Sequence, residues 1–230
     1  MMKKISQLTI TIIIVACLFF INRAEAQSNA QIIFTWQAHN FYPANFRGKA
    51  LPTFNTPTSV AVELLKNNKL TDLGAATITW YVDEKFVKRG VGQKEILFNT
   101  KRLEGEISFI RVIIDFNNER FETSTRIPTS KANVVITTAP QSRFYISPNT
   151  TLDLFAFPYF FNVNSLKDIA FSWEVNGQRL SNVGNTNRIN IDIGQPGLSR
   201  NNTIRASLTA QNNNDSLETV KERVELTIVP

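Results

Sequence analysis

Apolar and polar residues alternate through most of the chain beyond residue 30, and this period of two is typical of β-strands. The alternation is clearest in two stretches that each contain a Trp and run into a polar turn, Thr77 to Lys85 and Ala170 to Gln178. Because side chains alternate along a strand, the apolar residues two positions before and after each Trp share its face. We therefore predict that Trp80 and Trp173 are structural core residues, one in each half of the chain.

Further alternating segments surround each Trp stretch. In the first half the predicted strands are Gln31 to Trp36, Thr58 to Leu65, Ala76 to Val82, Lys94 to Asn99, 110 to 116 and Arg120 to Ile127. In the second half they are Asn133 to Thr137, 152 to 156, the Trp173 strand, Arg188 to Ile193, 204 to 210 and 224 to 228. Many short strands with turn residues between them predict an all-β protein made of sandwiches.

One hairpin allows a prediction of register. Asn117 and Asn118 separate two predicted strands, and Asn tolerates the positive φ that a two-residue turn needs. This loop would place Asp115 opposite Arg120 on the outer face and Ile114 opposite Phe121 on the inner face. An ion pair outside and an apolar pair inside both agree with that register.

The two halves repeat the same landmarks at intervals of 92 to 96 residues. The matched pairs are Val60 and Leu152, Leu70 and Leu166, Trp80 and Trp173, and Val112 and Leu208. An internal duplication of this period predicts two self-sufficient domains, residues 27–129 and residues 130–230. The link Pro128 to Ala132 contains a Pro and no Gly, which favours a semi-rigid connection.

The motif W-x-V-[D/N]-[G/E] before a turn, with alternating strands on both sides, resembles the bacterial immunoglobulin-like and PKD-like modules of exported proteins. The resemblance covers about residues 30 to 230. The chain departs from the pattern in three respects. It has no disulfide for either Trp to pack on, and no Gly-Asp-Gly follows either Trp. The Tyr usually found on the penultimate strand is absent, with Phe109 the nearest aromatic residue in the first half and Arg205 at the corresponding place in the second. The resemblance implies spacers, adhesion units or assembly parts.

The N-terminus resembles an export signal. Lys3 and Lys4 precede an apolar run, Leu8 to Ile21, and an Ala-x-Ala site ends at Ala26. We predict a signal peptide over residues 1–26 and an extracytoplasmic protein, secreted, periplasmic or on the cell surface. The alternatives are that residues 1–26 remain as an uncleaved anchor or that Cys17 is lipidated. We expect contact with a membrane only through one of these two.

Charge and residue types exclude several functions. The formal net charge is +6 and the charges are dispersed, so no nucleic-acid partner is predicted. His39 is the only histidine, and Asp83-Glu84, the only adjacent acidic pair, lies at a predicted turn. We therefore predict no catalytic residue, no metal, no cofactor and no enzyme activity. The oxygen-rich segment Asn212 to Asp215 remains open between a cation loop and a polar hairpin loop.

Two aromatic clusters are the candidate interaction patch. It consists of Trp36, Phe41, Tyr42, Phe46, Arg47, Tyr159, Phe160 and Phe161. These rings either fill the cores and the joint between the domains or form an exposed surface for a partner. The sequence therefore favours a non-catalytic, exported structural or protein-interaction module for adhesion or assembly at the cell envelope. The alternative is a carbohydrate-binding module that uses the aromatic loops.

Overall fold

A computed structural model describes residues 30–138, 145–147, 150–181, 183–194 and 203–228. The predicted signal peptide, Cys17 and the cleavage site after Ala26 lie outside the described residues. In the first half the strands are β1 (Ala30–Ala38), β2 (Pro57–Lys66), β3 (Lys69–Thr71), β4 (Thr77–Val82), β5 (Lys85–Val91), β6 (Glu95–Asn99), β7 (Ile107–Phe116) and β8 (Glu119–Pro128).

The second half contains strands β9 (Asn133–Thr138), β10 (Tyr145–Ile146), β11 (Thr151–Tyr159), β12 (Ile169–Val175), β13 (Gln178–Arg179), β14 (Arg188–Asp192), β15 (Thr203–Asn212) and β16 (Asp215–Ile228). One three-residue 3₁₀-helix, Leu166–Asp168, precedes β12. Among the residues that the structure describes, no helix has the length and apolar character to cross a membrane.

Two sheets form the first domain. In one sheet, β2 pairs with β1 along one edge and with both β3 and β6 along its other edge. In the other sheet, the strand order is β5-β4-β7-β8. The predicted hairpin is confirmed, because Asp115 lies opposite Arg120 and Ile114 lies opposite Phe121. Asn117 and Asn118 have φ angles of 51° and 60°, as a two-residue turn of this hand requires.

The core of the first domain consists of apolar residues from both sheets. Its main contributors are Val60, Val62 and Leu64 of β2, Ile78 and Trp80 of β4, and Ile110, Val112 and Ile114 of β7. The period of two places these residues on inner faces, where burial of their apolar surface stabilises the sandwich.

The second domain has the same plan. One sheet has the order β14-β11-β9 and the other β10-β16-β15-β12-β13, with β10 parallel to β16. Its separate core includes Leu152, Leu154, Phe171, Trp173, Ala206 and Leu208. The chain is therefore all-β, with two tandem immunoglobulin-like β-sandwich domains, as predicted. Strand β8 ends at Pro128 and β9 begins at Asn133, so residues 129–132 connect them.

Both tryptophans occupy equivalent positions. Trp80 and Trp173 are each 0% exposed. The indole Nε1–H of Trp80 donates to the carbonyl oxygen of Gln93 at 2.8 Å, and that of Trp173 donates to the carbonyl oxygen of Thr186 at 2.9 Å. In each domain the acceptor lies 13 residues after the Trp. A buried indole thus has a partner for its one polar atom.

The residue that follows each Trp strand explains the [D/N] position of the motif. Asp83 and Asn176 begin two-residue turns with φ of 49° and 50°, a region that these side chains tolerate. The side chain of Asp83 accepts from the amide of Phe109 at 3.0 Å, and that of Asn176 accepts from the amide of Arg205 at 2.9 Å. Each turn is thereby tied to the penultimate strand of its own domain.

The duplication holds for three of the four landmark pairs. Val60 and Leu152 lie on the equivalent strands β2 and β11, and Val112 and Leu208 lie on β7 and β15. Leu70 and Leu166 differ, because one lies in strand β3 and the other begins the 3₁₀-helix. The alternation pattern also missed β5, in which all residues but one are exposed, so no apolar face marks it.

Candidate functional site at the junction of the two sandwiches

The loop between β1 and β2, residues 39–56, lies against the second sandwich. The amide of Phe41 donates to the carbonyl oxygen of Phe161 at 2.7 Å, and the amide of Phe160 donates to the carbonyl oxygen of Phe41 at 2.6 Å. The two backbones thus form an isolated antiparallel bridge between the domains. The Phe41 side chain packs against the core of the second sandwich. Phe41 of the first domain therefore packs against apolar residues of the second sandwich's core.

A left-handed backbone at Phe160 ends the alternation of β11. Its φ is 64°, which is a strained value for a bulky residue. The next residue, Phe161, is 0% exposed and belongs to the core of the second sandwich. The prediction that Phe161 contributes to an exposed patch is therefore corrected: the strained residue before it breaks the alternation, and its ring is buried within its own domain.

Four rings meet at the junction, and we name Tyr42, Phe46, Tyr159 and Phe160 the junction cluster. Phe46 is its centre, with ring centroids 5.7 Å from Tyr42, 5.7 Å from Tyr159 and 5.6 Å from Phe160. The planes of Phe46 and Tyr42 are tilted at 58°. The Phe46 plane meets those of Tyr159 and Phe160 at 71° and 75°, the edge-on arrangement that aromatic pairs favour. Tyr42 is 39% exposed and the other three are partly buried. The cluster joins two rings from each domain.

The remaining residues of the predicted patch lie apart from the junction cluster. Trp36 is partly buried in β1 and packs against the core of the first sandwich. The Lys49 ammonium lies 3.6 Å from the centre of the Trp36 ring, a cation–π contact, and burial lowers the pKa of Lys49. Arg47 is exposed. The structure thus brings together Tyr42, Phe46, Tyr159 and Phe160, with Phe41 beside them on the backbone bridge.

A carboxylate organises the polar side of the junction. The amide of Asn162 donates to both carboxylate oxygens of Glu218, at 3.0 and 2.9 Å. The Nδ2 of Asn212 donates to the same carboxylate at 2.7 Å, and the hydroxyl of Thr53 donates from the first domain at 3.5 Å. Burial raises the pKa of Glu218, and the hydrogen bonds from Asn212 and Asn162 oppose that rise. Glu218 therefore holds Asn162 in one position.

Asn162 in turn connects the domains directly. Its Nδ2 donates to the carbonyl oxygen of Phe54 at 2.9 Å, and its Oδ1 accepts from the hydroxyl of Thr56. The amide of Ser130, in the connecting segment, donates to the carbonyl oxygen of Pro52 at 2.9 Å. Sequence reasoning missed this network, because Asn162 lies more than 100 residues after Phe54 and Thr56 and no local pattern pairs them.

An open groove of about 570 Å³ lies beside the polar network. The connecting segment, the start of β16 and the Thr53–Phe54 end of the loop line it. Phe54, Leu103 and Leu217 on its walls are 52%, 62% and 93% exposed. The junction thus presents apolar side chains to solvent next to the carboxylate of Glu218.

The predicted titratable candidates are dispersed. The Nε2 of His39 lies 3.1 Å from the hydroxyl of Ser59. Asp83 pairs with Arg102 at 3.0 Å, and Glu84 pairs with Arg111 at 3.0 Å. Both acidic residues lie at the β4–β5 turn, and each forms an ion pair with an arginine from another part of the first domain.

The Asn212 to Asp215 segment is the turn between β15 and β16. Asn212 is 3% exposed, and its Oδ1 accepts from the amide of Asn214 at 2.8 Å while its Nδ2 donates to Glu218. An oxygen of Asp215 accepts from the amide of Leu217 at 3.0 Å. In the part of the chain that the structure describes, no group of three or more His, Cys, Asp and Glu could hold a metal ion.

Comparisons with known proteins identify no family for this chain. No protein-family model matches the chain, and no curated protein matches it in sequence. Among solved structures, the three N-terminal domains of the bacteriophage RB49 highly immunogenic outer capsid protein are 9% identical with a TM-score of 0.45, over 86% of this chain and 59% of that one. The fibronectin(III)-like modules of CbhA from Clostridium thermocellum are 10% identical with a TM-score of 0.29, over 85% and 94%.

A third similar structure is SGBP-B of the mixed-linkage glucan utilization locus of Bacteroides ovatus, in complex with a mixed-linkage heptasaccharide. It is 12% identical with a TM-score of 0.24, over 84% of this chain and 47% of that one. This chain therefore spans less than two thirds of the capsid and glucan-locus chains. At such low identities the class of the protein, a tandem immunoglobulin-like β-sandwich protein, rests on the strand topology described above.

Proposed function

We propose that this chain is a non-catalytic, exported two-domain module that serves structure or protein interaction, in adhesion or assembly at the cell envelope. The observation that carries this proposal is the docked loop, residues 39–56. It connects the two sandwiches through a backbone bridge, the junction cluster and the Asn162 network. Polar and aromatic residues at the joint are thus used to hold two domains together.

A fixed joint has a consequence for binding. Two surfaces held at constant spacing lose less conformational freedom when a partner contacts both, so more of the contact energy appears as affinity. The groove beside Glu218 adds the exposed side chains of Phe54, Leu103 and Leu217 to this joint. Aromatic and aliphatic side chains beside polar groups are typical of protein-binding surfaces. A protein of a surface assembly is the partner that this surface favours.

The location belongs to the same proposal. The sequence of residues 1–26 supports export out of the cytoplasm, with a membrane contact only through an uncleaved signal or a lipid on Cys17. The dispersed charges support a partner other than nucleic acid.

A saccharide is the alternative partner. Binding to the face of a sugar ring needs an exposed and flat aromatic surface. The rings of the junction cluster meet at 58° to 75° and three of the four are partly buried. These angles favour contact between the domains over stacking on a sugar.

The test is a measurement of how the two domains tumble. In residues 27–230, nitrogen-15 relaxation should yield one common tumbling time for both sandwiches. The double variant Phe46→Ala/Asn162→Ala removes the centre of the junction cluster and the side-chain bonds to the loop, and it should yield two shorter, different times. Phe109→Ala, which changes a residue that is 41% exposed outside the junction, is the matched control and should leave the common time unchanged.

Independent tumbling of the unaltered protein would refute the fixed joint. The saccharide alternative is tested on the same spectra by adding soluble β-glucan and chitin oligosaccharides. Shifts confined to the amides near Tyr42 and Tyr159 would favour that alternative, and unchanged spectra would favour a protein partner.

A further inference from the structure

Strand β5 forms an open edge of the first sandwich. In the described part of the chain it pairs with β4 alone, and the sheet continues on the other side through β7 and β8. The hydrogen-bonding groups on its outer side are therefore available to another strand. A shift of register between Trp80 and Tyr81 places Val87 as the extra residue of β5.

The charges on β5 are of one sign and have no partner. Lys85, Lys88 and Arg89 lie on it, and no ion pair involving them occurs among the described residues. The neighbouring strand β4 reads Thr-Ile-Thr-Trp-Tyr-Val and offers no carboxylate.

Several cations on other strands pair with a carboxylate across the sheet. Arg120 of β8 faces Asp115 of β7, and Arg205 of β15 pairs with Glu225 of β16 at 2.8 Å. Such cross-strand pairs of opposite charge stabilise a sheet. Strand β5 differs because it concentrates three cations without a carboxylate within seven residues.

Exposed apolar side chains accompany these cations. Phe86 and Val91 are each 63% exposed and Val87 is 38% exposed. The Phe86 ring packs against Tyr81 with centroids 6.2 Å apart, so it is held in place on the surface. Lysines on an edge strand often protect it from other chains, but protection alone gives no reason to expose Phe and Val beside them.

In the described residues of the second sandwich, this feature is absent. Its equivalent edge strand, β13, consists only of Gln178–Arg179. Among the described residues, the longer edge is therefore specific to the first domain.

We propose that the outer edge of β5 docks an extended, acidic segment of a protein partner, which adds a strand to the sheet. The partner's backbone would bond to the open edge, its carboxylates would pair with Lys85, Lys88 and Arg89, and its apolar side chains would contact Phe86 and Val91. A second copy of this chain does not fit, because two edges with three positive charges each repel one another. The inference rests on the proposed interaction function and names the chemistry of the partner.

The experiment measures binding of short labelled peptides to residues 27–230 by fluorescence anisotropy. The probe alternates Glu and Val over seven residues, so that it can form a strand. One comparison peptide has Lys in place of Glu, and another has Pro in place of Val, which keeps the charge but prevents strand pairing. We expect the Glu-Val peptide to bind and both comparison peptides to bind at least roughly tenfold more weakly.

Two triple variants with the same change in net charge test the location. Lys85→Glu/Lys88→Glu/Arg89→Glu should weaken binding of the Glu-Val peptide by roughly tenfold or more. Lys69→Glu/Lys167→Glu/Arg179→Glu changes three exposed cations outside β5 and should alter it by less than about threefold. Thermal unfolding of both variants checks that the sandwiches are intact, and hydrogen exchange should show that amides of β5 gain protection with the peptide bound.

Several results would overturn the inference. They are an absence of binding by the Glu-Val peptide, equal binding of the Pro-containing peptide or of heparin, and equal weakening by the two triple variants. The last two would indicate a general attraction for anions. The tumbling measurement on the β5 variant separates this failure from that of the proposed function, because a common tumbling time with no peptide binding refutes only the strand dock.

Discussion

Replacing the buried tryptophans tests both the core and its internal hydrogen bonds. Trp173 is 0% exposed and its indole N–H reaches the carbonyl oxygen of Thr186. Trp173→Ala removes this ring and leaves a cavity, and should lower the free energy of unfolding of the second sandwich by about 3–5 kcal/mol. Trp173→Phe keeps an aromatic ring but deprives the Thr186 carbonyl of its donor, and should cost about 1–3 kcal/mol.

These losses are large for one sandwich. A domain of this size is stable by roughly 5–15 kcal/mol, so the Ala variant should lose about a fifth of that stability or more. A loss of 1 kcal/mol shifts the melting temperature of a domain of about 100 residues by roughly 4–8 °C, so the Phe variant should melt about 4–24 °C lower. Trp80 has the same burial and the same kind of bond, to Gln93, and the same substitutions should have matching effects in the first sandwich.

The assay follows from the positions of the three tryptophans. In the Trp173 variants the remaining indoles, Trp36 and Trp80, both lie in the first sandwich, so fluorescence reports its urea unfolding while circular dichroism reports both domains. We expect an added early transition in circular dichroism and little change in fluorescence. Trp36→Phe, at a partly buried ring, is the control and should cost less than about 1 kcal/mol. A loss below about 0.5 kcal/mol for Trp173→Phe would refute the assigned hydrogen bond.

Four further predictions concern other parts of the chain. Asn176→Ala should cost the second sandwich about 1–3 kcal/mol in urea unfolding, from the lost bond to Arg205 and an unfavourable φ, and Asn176→Gly should cost less; equal losses would refute the backbone contribution. The raised pKa of Glu218 means that its native carboxyl holds a proton more tightly than the unfolded chain does, so its ionisation should reduce stability as pH rises above about 4.3 towards the native pKa. Denaturation across this range should show that Glu218→Gln loses this decline; an unchanged slope would contradict the burial of the carboxylate. Sequencing of the exported protein should begin at Gln27; an intact N-terminus in membranes would indicate an anchor, and labelling with palmitate at Cys17 would indicate a lipoprotein. Residues 131–230 should fold alone with a cooperative melt; a fragment without one would contradict the predicted boundary.

Local features of the fold could be predicted from the sequence. Trp80 and Trp173 stand in alternating stretches, and a period of two places them on an inner face whatever the rest of the chain does. The Asn117-Asn118 turn and its register follow from turn chemistry and from charges within a few residues. The repeat of landmarks between the halves likewise needed only the order of residues.

The junction depended on the tertiary structure. Tyr159, Phe160 and Phe161 are three consecutive aromatic residues, and the strained backbone at Phe160 decides which ring enters the core and which faces the other domain. Composition cannot distinguish a ring in the core from a ring at the joint, because both positions bury apolar surface. The role of Glu218 also depended on the tertiary structure. In the sequence it resembles any surface acid, and only the fold places Asn162 and Asn212 against its carboxylate.

Which strand lies at the edge of a sheet also depends on the tertiary structure. The residues of β5 show no apolar face, and their three cations resemble any solvated stretch of the sequence. That these cations have no carboxylate opposite them depends on β4 being the one neighbour of β5 in the described sheet. Short-range patterns therefore determined most of the strands, the Asn117-Asn118 turn and both core tryptophans of this protein. Contacts between residues far apart in the chain decided its joint and its open edge, because such contacts depend on which elements the packed chain brings together.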